Sequence, residues 1–337
     1  MSSSAASQPP SVAELSVVLV AGSGAPGITR TMGHLRAQTA RRRMEVLIVA
    51  ESSDGFDLAA LGGGELAACR LIEVGPIAER GAAAATGLLA ATSPVVGLIE
   101  DHSYPAPEWA EALLRAHAGG WSGVGPAVDN ANPESAASWV NYILGYGGFA
   151  PPVEAGARDL IPWHNSAYKR DAIAPFGDRL GALLEWEGAL QSELRARGHT
   201  LYLEPAARTA HDNVSAIWST VGLNVQRGRV LGALRAERER WPAWRRVAQA
   251  AAFPLFPLMQ LRHLIPSMRR LPVPSSLGPR VYLGLGVTLG VLAVAEAWGL
   301  LTGVGDAIAR LEDYELHRGR HLSPRDRQTS AASAGVS

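Results

Sequence analysis

Cysteine is nearly absent: Cys69 is the single one among 337 residues. That excludes a disulfide framework and a thiolate metal cluster, and it fits a reducing compartment. Net charge is missing as well, since 31 basic and 31 acidic residues cancel. No overall field therefore recruits nucleic acid or an acidic partner. The first dozen residues lack the basic start and apolar run of a signal peptide. They are rich in Ser, Ala and Pro, and residues 1–13 are expected to be disordered, like the Ser/Ala tail 321–337. No internal repeat is found.

Apolar residues make up 47% and charged residues 18% of the chain, the composition of a globular protein with a sizeable core. Leu15 to Ala21, Val46 to Ala50 and Val95 to Ile99 are continuous apolar runs suited to strands buried on both faces. Arg70 to Val74 reads as a short strand. Helix-like stretches Ile28 to Ala37, Gly81 to Ala91 and Trp109 to His117 alternate with them. This pattern predicts an α/β fold with a mostly parallel sheet flanked by helices. Ligands of such sheets sit beyond the carboxyl ends of the strands. The middle of the chain is less regular, with a helix-like stretch from Leu183 to Arg197 ended by Gly198. From Val214 onward the pattern is helical and broken by prolines.

Four groups of residues could carry chemistry. Glu100, Asp101 and His102 follow directly on the strand Val95 to Ile99. Strand alternation puts Glu100 and His102 on one face, and a carboxylate with an imidazole can hold Mg2+ or Mn2+. Glu51 and Asp54 follow the strand Val46 to Ala50 and could accept hydrogen bonds from a base or ribose. Glu185, Trp186 and Glu187 open a helix, where a carboxylate could serve as general base. His211 follows the strand-like Thr200 to Leu203. Each group also has a plain structural reading: a polar loop, a turn, acids favoured at a helix start, and a packed histidine.

Together their order and spacing resemble family 2 glycosyltransferases, inverting enzymes of the GT-A fold, over about Leu15 to Arg229. LSVVLVA matches the opening strand. EVLIVAESSDG matches the strand whose acidic end contacts the donor nucleoside, with Glu51 and Asp54 at the acidic places. VVGLIEDHSYPAPEWAEAL matches the metal-binding Asp-x-Asp motif and the helix after it, with Glu100 and His102 at the two Asp positions. IPWHNSAYKRDAI resembles an acceptor-domain stretch. Glu187 lies eleven residues before Gly198, as the family's catalytic carboxylate does. His211 in RTAHDN and Arg229 in QRGR also match. The sequence departs from the family in Glu-Asp-His for Asp-x-Asp, in Ala84-Ala85 for an Arg-Asn pair, and in Glu for Asp at the base.

The resemblance implies a GT-A-type catalytic domain over 14–230, divided into a nucleotide-binding half (14–120) and an acceptor half (121–230). A helical, partly apolar, membrane-associated region would follow at 231–320. It implies a transferase, hexosyltransferase-like, that moves a sugar from a nucleotide-diphosphate donor, with UDP favoured, to a hydroxyl of a lipid-linked or cell-envelope acceptor. Glu100, His102 and His211 would hold Mg2+ or Mn2+. Glu51, Asp54, Asp101 and Arg229 would bind the nucleotide-sugar, and Glu187 would be the base. Trp163, Asn165, Tyr168 and Trp186 would shape the acceptor or sugar pocket. The alternatives are a GT-A-fold binding protein without turnover and a sugar nucleotidyltransferase. The second would usually carry a basic glycine-rich loop, whereas AGSGAPGITR has no lysine. Basic, Trp-bearing segments followed by the apolar run Val281 to Leu301 suggest the cytoplasmic face of the membrane. That run is about long enough to span a bilayer. Its glycines and Glu296 leave open a helix lying in the interface or one buried in the protein.

Overall fold

The computed structural model describes residues 13–186, 188–321 and 324. The terminal segments expected to be disordered fall almost wholly outside these residues, as does Glu187. In chain order the first elements are β1 (Leu15–Val20), α1 (Gly24–Arg36), β2 (Met44–Ala50), β3 (Ala68–Glu73), α2 (Arg80–Ala90), β4 (Val95–Ile99), β5 (Ser103–Pro105) and α3 (Trp109–His117). Next come β6 (Gly123–Asn130), α4 (Ala136–Tyr146), β7 (Gly156–Arg158), β8 (Ala167–Lys169), α5 (Arg170–Ile173), α6 (Leu180–Leu184), α7 (Ala189–Ala196) and β9 (Leu201–His211). The chain ends in α8 (Ile217–Arg238), α9 (Ala243–Ala251), α10 (Phe256–Arg270), α11 (Gly278–Thr302) and α12 (Ala307–Leu316).

The chain divides into two compact units. The first comprises the described residues to Ala127 together with Glu154–Thr209, and the second comprises Val128–Val153 with the described residues from Ala210 onward. The limit expected at 230 falls inside α8, a continuous helix.

One mixed sheet has the order β3-β2-β1-β4-β8-β6-β9-β5, with β7 on β9. Its β3-β2-β1-β4 part is parallel, with Val17 level with Val46 and with Gly97. β8 runs antiparallel to β4 and β6. The mixed α/β architecture with flanking helices is the one expected. The antiparallel part lies in the region that looked irregular, because three-residue strands such as β7 and β8 are too short to show a period.

In the first unit, alternate side chains of each parallel strand face opposite layers. Leu15, Val17 and Leu19 with Met44, Val46 and Ile48 pack into a core that includes Ile28, Met32 and Leu35 of α1 and Trp109 and Leu113 of α3. Val18, Leu47 and Val49 join a core that includes Leu88 of α2 and residues of α5, α6 and α7. Gly87 lets α2 approach the sheet closely, since a Cβ there would stand 2.9 Å from Val49 Cγ2. The single helix expected from Leu183 to Arg197 is instead α6 and α7. Between them Gly188 adopts φ 76°, a left-handed geometry that favours glycine.

The second unit is helical, with α4, α8 and α9 to α12. One core joins Val128, Trp139, Tyr142 and Ile143 to Leu271, Val281 and Leu285. α11 is long and apolar enough to cross a membrane by length and composition alone. It packs along α8 at glycine contacts: a Cβ on Gly228 would lie 2.7 Å from Ala295 Cβ, and Gly232 and Gly299 meet the opposite backbone. The carboxylate of Glu296 is buried and accepts a hydrogen bond from Arg235 at 2.7 Å. Burial raises its pKa, and Arg235 opposes that rise.

Candidate functional site

The apolar strand β4 is a stiff platform, and its carboxyl end carries the polar triplet. Glu100 has a largely buried side chain. Its Oε2 accepts from Asn165 Nδ2 at 2.9 Å and from Ser103 Oγ at 3.3 Å. Its Oε1 faces His102 Nε2 at 4.0 Å and Arg80 Nη1 at 3.8 Å. His102 is buried, and its Nδ1 lies 2.7 Å from Asp101 Oδ1. A carboxylate accepts, so Nδ1 is the donor of this hydrogen bond and Nε2 is the ring atom turned toward Glu100. The Asp101 backbone carbonyl is in turn held by Thr31 Oγ1 of α1 at 2.7 Å.

The site therefore offers one carboxylate oxygen and one imidazole nitrogen facing each other, with the imidazole oriented by a second carboxylate. This donor set suits a hard or borderline divalent cation such as Mg2+ or Mn2+. An aspartate behind a ligating histidine is the usual way of fixing its tautomer.

Arg80, the first residue of α2, has no counterpart in the residues singled out from sequence. Its Nη2 lies 3.0 Å from His164 Nε2, and its guanidinium carbon is 5.9 Å from the Trp163 ring centroid. The Trp163 and His164 rings sit 3.7 Å apart. Arg80, Glu100, Trp163 and Asn165 thus come together. The only hint in the sequence was a cation just ahead of Ala84-Ala85, where the family carries its Arg-Asn pair. Glu185 closes the other side of the α2 start, with Oε1 accepting from Gly81 N at 2.6 Å. An acid at a helix N-terminus is stabilised by the unpaired N–H groups there.

The other residues singled out from sequence are placed as follows. Glu51 follows β2, two strands from β4, and its Oε1 accepts from Ile77 N at 2.9 Å. Asp54 is exposed in a turn, its N–H donating to Ser52 Oγ at 3.0 Å. Both lie at the carboxyl end of a parallel strand. Asn165 is fully buried against Glu100. Tyr168 is corrected by the structure: its ring is fully buried in the core and its hydroxyl accepts from Gln191 at 3.2 Å. It lines no surface that a sugar can reach, and burial pushes its pKa up to about 12. Trp186 is partly exposed in the turn after α6. Within the second unit, His211 ends β9 with Nδ1 3.0 Å from Asn213 Oδ1 and its ring against Tyr146. Arg229 lies on α8, where it donates to Gly303 O at 3.1 Å, pairs with Asp306 at 3.3 Å and covers Trp298.

The sequence matches no protein-family model and no curated protein. Among solved structures, the chain is similar to GalNAc-T7 with UDP, GalNAc and Mn2+, at 14% identity and a TM-score of 0.47. That match covers 60% of this chain and 44% of the other, so this chain spans less than half of GalNAc-T7. It is also similar to the mannosyltransferase PcManGT from Pyrobaculum calidifontis in complex with GDP-Man and Mn2+, at 18% identity and a TM-score of 0.49, over 96% of this chain and 85% of that one. S. aureus TarS 1-349 matches at 14% identity and a TM-score of 0.43, over 59% of this chain and 60% of that one.

Proposed function

We propose that the protein is an inverting, GT-A-type glycosyltransferase, hexosyltransferase-like and related to family 2. In this reading it moves a sugar from a nucleotide-diphosphate donor, with UDP favoured, to a hydroxyl of a lipid-linked or cell-envelope acceptor. The observation that carries the reading is the facing pair Glu100 and His102 at the end of β4, with Arg80 beside them and the acids Glu51 and Asp54 at the end of β2. A metal-competent pair next to a guanidinium suits a diphosphate, and acids two strands away suit the hydroxyls of a ribose.

Glu100 and His102 are the residues that would hold Mg2+ or Mn2+, with Asp101 orienting His102. Such an ion supplies charge stabilisation for the leaving diphosphate. Arg80 adds a fixed positive charge for the same phosphates. Trp163 offers a ring face to the sugar, an apolar contact with few rotatable bonds. Asn165 holds Glu100 in place. Glu187, on its sequence position, is the base that takes the acceptor hydroxyl proton.

Thermal denaturation across a panel of nucleotide-sugars, with and without Mn2+, tests the reading. A donor that binds the folded form raises the midpoint. Mn2+-dependent stabilisation by at least one nucleotide-sugar, with release of the nucleoside diphosphate on adding acceptor, is expected. Binding without release under any acceptor would favour the binding protein, and no stabilisation by any donor would sink both.

A further inference from the structure

The stretch from Trp241 to Ala295 contains no Asp, Glu or Lys, and apart from His263 its basic side chains are arginines: Arg245, Arg246, Arg262, Arg269, Arg270 and Arg280. Within it, α9 and α10 turn large apolar side chains to solvent. Trp244, Val247, Leu258 and Met259 are between 58% and 72% exposed, as is Leu255 in the turn between the two helices. On α9, Trp244, Val247, Ala248 and Ala251 recur at helical spacing and form one stripe. On α10, Leu258, Met259, Arg262 and Ile265 do the same. Among the described residues, neither Arg245 and Arg246 nor Arg262, Arg269 and Arg270 pair with a carboxylate. α11, by contrast, is committed along one side to α8 through Gly228, Gly232, Gly299 and the buried Glu296.

From this we infer that α9 and α10 are a membrane-docking surface for a bilayer bearing anionic lipids, lying in the interface plane, and that α11 does not span. Exposed Trp, Leu and Met enter the acyl boundary while arginines beside them meet lipid phosphates, their stems covering apolar surface and their heads staying wet. The charge pattern chooses the occupant. A second copy of this chain seated on the same face would set arginine against arginine with no acid between them, whereas an anionic headgroup layer neutralises them. The inference stands apart from sugar transfer, and its readout needs no activity.

The test is co-sedimentation of the full chain with vesicles of phosphatidylcholine alone or mixed with phosphatidylglycerol. Binding to the mixed vesicles, weakened by salt and released by alkaline carbonate, is expected. Trp244→Ser with Leu258→Ser and Met259→Ser should lower the affinity at least tenfold. Arg245→Gln with Arg269→Gln should lower it roughly fivefold per arginine, for mixed vesicles only. Trp244→Ser alone guards against a misfolded triple variant, and each variant's thermal midpoint is read alongside. Equal binding of wild type and triple variant, resistance to carbonate, or no binding to mixed vesicles would overturn the inference. So would a dimer in sedimentation velocity that the triple variant loses without any vesicle binding.

Discussion

The Glu185 carboxylate accepts the backbone N–H of Gly81 at 2.6 Å. This bond ties the end of α6 to the start of the helix that carries Arg80. The contact is tight, because a Cβ on Gly81 would stand 2.5 Å from Glu185 Oε1 and 2.6 Å from the Gly181 carbonyl oxygen. Gly81→Ala is therefore expected to destabilise the fold by about 2 kcal/mol, the cost of overpacking against backbone. Glu185→Gln should cost about 1 kcal/mol by weakening a charged cap. Urea denaturation of the two variants checks both values.

Arg80 stands beside Glu100 and His164 at the start of α2. Arg80→Ala should raise KM for the nucleotide-sugar ~10-fold, the loss of one charge-assisted contact to phosphate. Arg80→Lys should recover part of it, since lysine keeps the charge but not the planar fork. An unchanged KM in Arg80→Ala would remove Arg80 from the donor site.

Metal affinity separates ligands from their supports. His102→Ala and Glu100→Gln should each weaken Mn2+ binding by calorimetry well beyond tenfold. Asp101→Ala removes the acceptor that orients the His102 ring and should cost roughly 10- to 100-fold. His211→Ala tests the third ligand expected from sequence, and a loss comparable to that of His102→Ala would give it that place.

His117, the last residue of α3, is buried, and burial pulls its pKa from 6.5 down to about 4. The folded pKa is depressed, so its contribution is complete above pH 6.5 and is lost as pH falls toward 4. The unfolded chain binds the proton first in that window. The shift corresponds to about 3 kcal/mol. Wild-type stability in urea should fall between pH 7 and pH 4.5, and His117→Leu should fall less steeply. Parallel slopes would assign the acid sensitivity elsewhere.

Glu187→Gln should leave donor binding intact and lower kcat by ~100-fold or more, the usual contribution of a positioned base. Turnover at the wild-type rate would remove the base assignment.

The sequence alone determined the parallel part of the fold. Apart from Ser16 and Glu45, β1, β2 and β4 carry no polar side chain, and β4 begins and ends where its pattern does, because side chains buried on both faces leave a signal that depends on near neighbours alone. It also placed Glu100, His102, Glu51 and Asp54 at strand ends, since the residue after a buried strand is local information. Tertiary structure alone brought Arg80 to His164 across 84 residues and Gly81 to Glu185 across 104. It also buried Tyr168 in the core and packed α11 against α8. None of these has a periodic signature. An aromatic in an apolar stretch reads the same in a pocket or a core, and a glycine-rich apolar helix reads the same in a bilayer or against another helix. What decides is which surface the rest of the chain folds against it.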